Sequence, residues 1–211
     1  MPGEWSDPEH VTEYLAREIP HREIAEGLLL EALPPRVGRV LDLGTGDGRL
    51  LALVCSRHPA AQGVGIDSSR PMLEHAAERF ASNSAVQLEV YDLSRPLTEL
   101  PAAAGRFDVV VSGLAIHHLQ HERKRALFGE IHALLAPGGV FANLDLVTSA
   151  SPRLHERFRC AIGRVQEDPE DRLAGLCEQL GWLRDAGFEE VDCHFKWLEL
   201  ALLVAARGTR G

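Results

Sequence analysis

Three glycines, Gly44, Gly46 and Gly48, stand at alternate positions directly after the apolar run Val40, Leu41 and Leu43. A helix-like run with Leu50, Leu51, Leu53 and Val54 follows from Arg49. A strand that turns through glycines into a helix brings bare backbone against a ligand, because no Cβ stands in the way. The helix start adds unpaired N–H groups and the positive end of a dipole. Asp67 closes the next apolar run, Gly63-Val64-Gly65-Ile66, and follows Gly46 by 67 − 46 = 21 residues. A carboxylate at that place can accept both hydroxyls of a ribose. Together these residues point to a nucleoside-containing cofactor; the competing reading is a tight turn with a surface Asp. The dinucleotide fingerprint is G-x-G-x-x-G, and here the third glycine comes one residue early.

Further candidates lie where other strands should end, since ligands of open α/β sheets bind beyond the carboxyl ends of the strands. Those ends are Asp67-Ser68, Tyr91-Asp92-Leu93 and Ser112-Gly113. Asp92 could accept from the exocyclic amine of an adenine, with Leu93 covering the ring; alternatively Asp92 caps a turn. His117 and His118 follow the fourth strand, where an imidazole can serve as a general base near neutral pH or simply order the loop through a backbone hydrogen bond. Adjacent histidines seldom both ligate a metal without a third carboxylate or His beside them, so no metal ligand set is assigned. Asp145, at the end of the fifth strand, is expected to touch substrate. Tyr14, His21 and Arg22 are expected to reach the cofactor carboxylate or the substrate from helices folded over the cleft.

The elements that must position these groups alternate along the chain. Ser6-Asp7-Pro8-Glu9 reads as a capping box before a helix that Pro20 stops, and a second helix runs to Pro34-Pro35. Strands are expected at 39–43, 62–66, 86–91, 107–112 and 140–147, with helices at 47–57, after Ser69, and at 121–135. Pro137-Gly138-Gly139 should break the last of these. Helices at 153–166 and 170–185 precede an alternating strand through Val191, Cys193, Phe195 and Trp197 and an apolar run from Leu200 to Ala206. Two strands that close together must pair antiparallel. The fold class is therefore α/β, a doubly wound and mostly parallel sheet ending in an antiparallel hairpin. Residues 1–36 read as a helical lid and 37–211 as the cofactor-binding domain of one compact unit.

A chain of 211 residues with 22 basic against 31 acidic side chains has net charge −9. The acids concentrate in the first 38 residues, and Lys124 and Lys196 are the two lysines. That balance disfavours nucleic acid, whose affinity rests on phosphate neutralisation by Lys and Arg. A small-molecule partner is expected, with no membrane and a monomer or homodimer. The four cysteines show no metal or disulfide spacing and read as buried thiols in a cytoplasmic protein.

The segments Val40-Leu41-Asp42-Leu43-Gly44-Thr45-Gly46-Asp47-Gly48, Gly65-Ile66-Asp67-Ser68-Ser69, Asp92-Leu93, Phe107-Asp108-Val109-Val110 and Leu134-Leu135-Ala136-Pro137-Gly138-Gly139 resemble a class I S-adenosylmethionine-dependent methyltransferase. The resemblance covers residues 39–206 and implies a seven-stranded sheet of order 3-2-1-4-5-7-6. It also implies S-adenosylmethionine as cofactor, held by Asp42, Gly44, Thr45, Gly46, Asp67, Ser68, Asp92, Leu93, Ser112 and Gly113. The implied activity is in-line methyl transfer to an O, N or S nucleophile of a small molecule, with His117 and His118 as catalytic groups and His117 the first candidate base. The C-terminal third and Ile19-Pro20-His21-Arg22 are similar to the branch containing the carboxy-S-adenosylmethionine synthase of tRNA modification, although residues 163–180 are short for that branch's arginine-bearing insert. A nicotinamide-dependent oxidoreductase and a non-catalytic cofactor-binding module are the competing functions.

Overall fold

The computed structural model of the protein describes residues 7–16, 18–101, 105–164, 166 and 168–209. Ser6 of the expected capping box and the side chain of Tyr14 lie outside the described residues. The elements are α1 (Pro8–Leu15), α2 (Arg22–Ala32), β1 (Arg39–Leu43), α3 (Arg49–Arg57), β2 (Gln62–Asp67), α4 (Arg70–Arg79), β3 (Val86–Val90), β4 (Phe107–Gly113), α5 (His121–Leu134), β5 (Leu135–Leu146), α6 (Pro152–Ala161), α7 (Leu176–Asp185), β6 (Glu189–Trp197) and β7 (Leu200–Ala206). They form one sheet of order β3-β2-β1-β4-β5-β7-β6. β1 pairs in parallel with β2 and β4, whereas β7 pairs antiparallel with β5 and β6.

Alternation along the central strands feeds two apolar layers. β1 sends Leu41 and Leu43 to one face and Val40 to the other; β4 sends Val110 one way and Val109 and Val111 the other. Strands buried on both faces read as continuous apolar runs, which is why β4 stands out in the sequence. β3 lies at the edge and leaves Val90 exposed. Because β1 sits between β2 and β4, the chain leaves the β1 and β4 tips in different directions, and a crevice opens between them.

Local chemistry starts the helices. Ser69 caps α4 by accepting from the Met72 N–H at 3.2 Å, and Ser151 caps α6 by accepting from the Leu154 N–H. Such a cap contributes about 1 kcal/mol. At the start of α1 the Asp7 carboxylate accepts from the Glu9 N–H.

Several expectations are corrected. β5 begins at Leu135 and runs through Pro137-Gly138-Gly139; the irregularity appears as a register shift against β4 between Phe107 and Val109, so the glycines bend the strand rather than precede it. α6 ends at Ala161 and α7 starts at Leu176, both shorter than the apolar pattern suggested. The stretch around 168–174 is held otherwise: the Arg172 N–H donates to the His117 carbonyl and the Thr148 N–H to the Ala174 carbonyl. Of the cysteines, Cys55 is buried and Cys193 half-buried, but Cys160 and Cys177 are exposed.

Candidate active site

The crevice beyond the strand tips is a cavity of about 1040 Å³. Its floor is the turn after β1. Gly44 has φ +66°, and a Cβ there would collide with the Cβ of Ala115 in the turn after β4. Gly48, also at positive φ, faces the ring of Phe80 instead. Gly44 therefore lets the turns after β1 and β4 meet, while Gly48 lets α3 pack on α4. The loop is tied to β2 by the Thr45 N–H, which donates to the Ile66 carbonyl at 2.9 Å.

Asp67 anchors the same loop. Its Oδ2 accepts from the Gly46 N–H at 2.9 Å and its Oδ1 from the Ser69 N–H at 2.8 Å. Burial raises its pKa, opposed by these backbone hydrogen bonds. Each oxygen keeps a further acceptor site, and Asp67 lines the cavity. Asp42, at the bottom, is 1% exposed. The Thr45 hydroxyl donates to its Oδ2 at 2.8 Å, while its Oδ1 is buried and accepts no hydrogen bond among the described residues. Burial pushes its pKa up to about 7, the Thr45 hydrogen bond resisting and the Asp67 charge adding to the rise. A buried carboxylate oxygen with nothing to accept from suits a cationic ligand group.

Ser68, Asp92, Leu93 and Gly113 also line the cavity. Asp92 is a turn cap as well, since its Oδ1 accepts from the Ser94 N–H at 2.8 Å. Ser112 differs from expectation. Its side chain is fully buried and its hydroxyl donates to the Leu43 carbonyl at 2.8 Å, so it ties β4 to β1 behind the cavity wall. A serine one residue before the strand's last position points to the opposite face from Gly113.

The far wall comes from the turn after β4. Leu114 adopts φ +57°, an uncommon conformation for a non-glycine residue, and its N–H donates to the Leu144 carbonyl. His118 lines the cavity, whereas His117 and Asp145 do not. His117 lies behind the wall, its Nδ1 2.5 Å from Asp145 Oδ1. Asp145 thus orients a histidine instead of touching substrate: its position at the end of β5 points under the turn, and the Leu146 N–H donates to the same oxygen. His118 has a pKa lowered to about 4 by burial and by the His117 charge beside it. Lys124 is buried too, its pKa lowered by burial to about 8; its Nζ donates to the backbone carbonyls of His117 and Arg172.

His21 and Arg22 reach the rim. His21 stands edge-on to Trp197 at 4.7 Å between ring centroids. Arg22 Nε donates to Glu26 Oε1, and Arg49 grips Glu26 through Nε and Nη2. Burial raises the Glu26 pKa, but the two guanidiniums outweigh it and hold the carboxyl below its usual value. Met72, Tyr91, Arg49, Leu119 and Glu170 also line the cavity. Of these the sequence pointed only to Tyr91, at the strand end beside Asp92, and gave it no role; Glu170 sits in a segment read as helix.

Comparison with known proteins agrees with this geometry. Residues 40–139 match the family described as methyltransferase domain. The chain is 33% identical over 186 residues to a ubiquinone/menaquinone biosynthesis C-methyltransferase of Desulfotalea psychrophila, covering 80% of this chain and 72% of that protein. It is 26% identical to a carboxy-S-adenosyl-L-methionine synthase of Helicobacter hepaticus, over 92% of this chain and 89% of the other. Human N-acetylserotonin methyltransferase, solved in complex with S-adenosylmethionine, superposes with a TM-score of 0.70 at 16% identity, over 97% of this chain and 58% of that one. The chain belongs to the class I S-adenosylmethionine-dependent methyltransferases. It is a methyltransferase enzyme whose cofactor is S-adenosylmethionine, and the oxidoreductase and non-catalytic readings fall away. No helix among the described residues is long and apolar enough to cross a membrane.

Proposed function

We propose that the enzyme methylates a small molecule at an O, N or S nucleophile. The observation that carries this reading is the division of the cavity. One end presents the Gly44–Gly46 floor, Asp42 and Asp67; the other presents His118, Leu114 and Leu119. When bound, S-adenosylmethionine supplies an electrophilic methyl group on a sulfonium. Asp42, Gly44, Thr45, Gly46, Asp67, Ser68, Asp92, Leu93 and Gly113 are assigned to hold it. Asp42 Oδ1 suits its cationic part, and the Asp67 carboxylate suits the ribose hydroxyls. Ser112 supports that arrangement by fixing the β1 and β4 tips together.

Methyl transfer is an in-line displacement, so positioning and exclusion of water matter most. Residues 1–36 are assigned as a lid; residues 15, 16 and 18–24 supply one wall of the cavity. His118 and, behind it, His117 are the acceptor-activating groups. An uncharged imidazole in the wall can take a proton from a hydroxyl or ammonium. The acidic rim residues Glu18, Glu23 and Glu170 support a small molecule over nucleic acid.

The similarity to carboxy-S-adenosylmethionine synthase raises a second reading, a carboxylated cofactor. In the 163–175 segment Arg164 is paired with Asp168 and Asp171, and Arg172 with the Pro169 and Asp171 carbonyls. The segment gives the cavity Glu170 instead, an acid that would repel the extra carboxylate. The test is a panel of hydroxyl, amine, thiol and carbon-acid acceptors alongside tRNA, read by release of S-adenosylhomocysteine. Turnover with small O, N or S acceptors is expected. Turnover confined to tRNA or to carbon acids would overturn the assignment.

A further inference from the structure

Adjacent histidines lack a third ligand in the sequence, and the structure supplies one. The segment before α7 runs back over the β4 turn and sets Asp171 against both rings. His117 Nε2 lies 3.5 Å and His118 Nδ1 3.7 Å from Asp171 Oδ1. One donor atom from each residue fits within a cluster no wider than 4.8 Å.

The hydrogen-bond pattern says what belongs between them. Asp145 Oδ1 sits 2.5 Å from His117 Nδ1. A carboxylate only accepts, so Nδ1 carries the hydrogen; with the ring neutral, as a bound ion requires, Nε2 presents its lone pair. That lone pair faces another carboxylate oxygen. Two acceptors facing one another repel unless something positive lies between them. A shared proton would draw a charged pair to about 2.7–2.9 Å, well inside the observed 3.5 Å. A tetrahedral ion with ligand bonds of about 2.1 Å places its ligand atoms about 3.4 Å apart. The two measured edges fall close to that value.

Asp171 supports the same reading. Its Oδ1 is buried and accepts no hydrogen bond among the described residues, while Oδ2 meets Arg164 Nη1 at 3.3 Å. The nearest buried cation, Lys124, directs Nζ to the His117 and Arg172 carbonyls and so clips the two loops that carry the cluster.

We propose that His117, His118 and Asp171 bind one divalent transition-metal ion of the zinc class, with Asp145 orienting His117 and the fourth coordination position open. Two imidazoles and a carboxylate suit zinc and its first-row neighbours better than magnesium or calcium, which prefer all-oxygen sets. A buried carboxylate on the far nitrogen of a ligating His is the usual supporting shell. Three protein ligands with one position open is the catalytic type of site. His118 belongs to the cavity wall, so an oxygen of the methyl acceptor can take the open position and give up its proton, made more acidic there, to solvent, His118 then acting through the ion and not as the base. That last role rests on the methyltransferase reading; ion binding does not.

The test strips the full chain with a chelator and titrates it with Co²⁺, followed by visible absorption, and with Zn²⁺, followed by calorimetry. S-adenosylmethionine affinity is measured on the same samples. A single ion per chain and the intense absorption of four-coordinate Co²⁺ are expected. Asp145→Asn should weaken binding about 10- to 100-fold, and Asp171→Asn and His118→Ala should weaken it more, all three still binding S-adenosylmethionine. Asp67→Ala should lose cofactor affinity and keep the ion. No Co²⁺ band and no Zn²⁺ heat from the parent chain would overturn the proposal, as would binding that survives both Asp171→Asn and His118→Ala. Because cofactor affinity is read separately, loss of the ion site leaves the methyltransferase reading standing, and loss of cofactor binding in the parent chain would strike that reading alone.

Discussion

The two ends of the cavity are built in different ways. The cofactor end comes from consecutive strand tips: the turn 42–48 and Asp67, joined by one hydrogen bond from the Gly46 N–H. Each part of it is a short contiguous motif. The other end is His118, backed by three segments that meet only in the folded chain: His117 after β4, Asp145 at the end of β5, and Asp171 before α7. The cofactor end is mostly backbone fixed by glycine conformations, whereas the acceptor end is mostly side-chain ionisation held by burial. One end is thus set by local geometry and tolerates little substitution. The other is set by long-range packing, which leaves the choice of acceptor open to change.

That contrast can be broken, and the largest effect tests the cofactor end. Gly44→Ala places a Cβ against Ala115 at a positive φ. The conformational penalty and the overpacking together should cost about 3 kcal/mol of stability, measured by urea unfolding. A loss below about 0.5 kcal/mol would mean the turn is not as rigid as described.

His118→Ala tests whether the two ends are separable. Turnover should fall about 100-fold, the low end for loss of an acid–base or acceptor-activating group, while S-adenosylmethionine affinity stays within about twofold of the parent. Equal loss of both would merge the two regions into one.

Asp67→Ala should be the mirror image. Losing hydrogen bonds to a charged group costs about 2 kcal/mol of cofactor affinity, near 30-fold in Kd, seen by calorimetry. Unchanged affinity would remove Asp67 from the site.

The smallest effect concerns protons. Asp42, with a pKa near 7 in the folded chain against 3.8 for an exposed carboxyl, holds a proton that the unfolded chain releases. Its contribution to stability is therefore full below about pH 4 and is lost as pH rises through 7. Asp42→Asn should flatten that slope. A cationic ligand beside Asp42 favours its ionised form, so cofactor binding at pH 7 should release up to about half a proton. Calorimetry in buffers of different ionisation enthalpy reads this directly, and zero release at pH 6–7 would detach Asp42 from the ligand's charge.

The same contrast explains what could be read before folding. Gly44, Gly46 and Asp67 were legible because strand, turn and helix periods reveal where each strand ends, and the parallel pairing of β1 with β2 then makes neighbours of their tips. Ser112 was half legible: its strand end was right, but which face a residue takes depends on the strand's exact last position. Asp145 was expected at the substrate, yet the turn of β4 slides between it and the cavity. Asp171 carried no signal at all, since nothing in Asp168-Pro169-Glu170-Asp171 says which loop it will lie against.

Sequence by itself determined the alternating α/β order, the glycine turn after β1 and the carboxylate at the tip of β2, because those depend on residues within a few positions of one another and on strand periodicity. Tertiary structure alone decided that His118 faces the cavity and His117 does not, that Asp42 is buried with an oxygen left over, and that Asp145 and Asp171 bracket one imidazole. Those outcomes depend on which distant backbone groups pair, as when the Arg172 N–H meets the His117 carbonyl, and on burial, which sets the charge of a side chain only after the whole chain has closed around it.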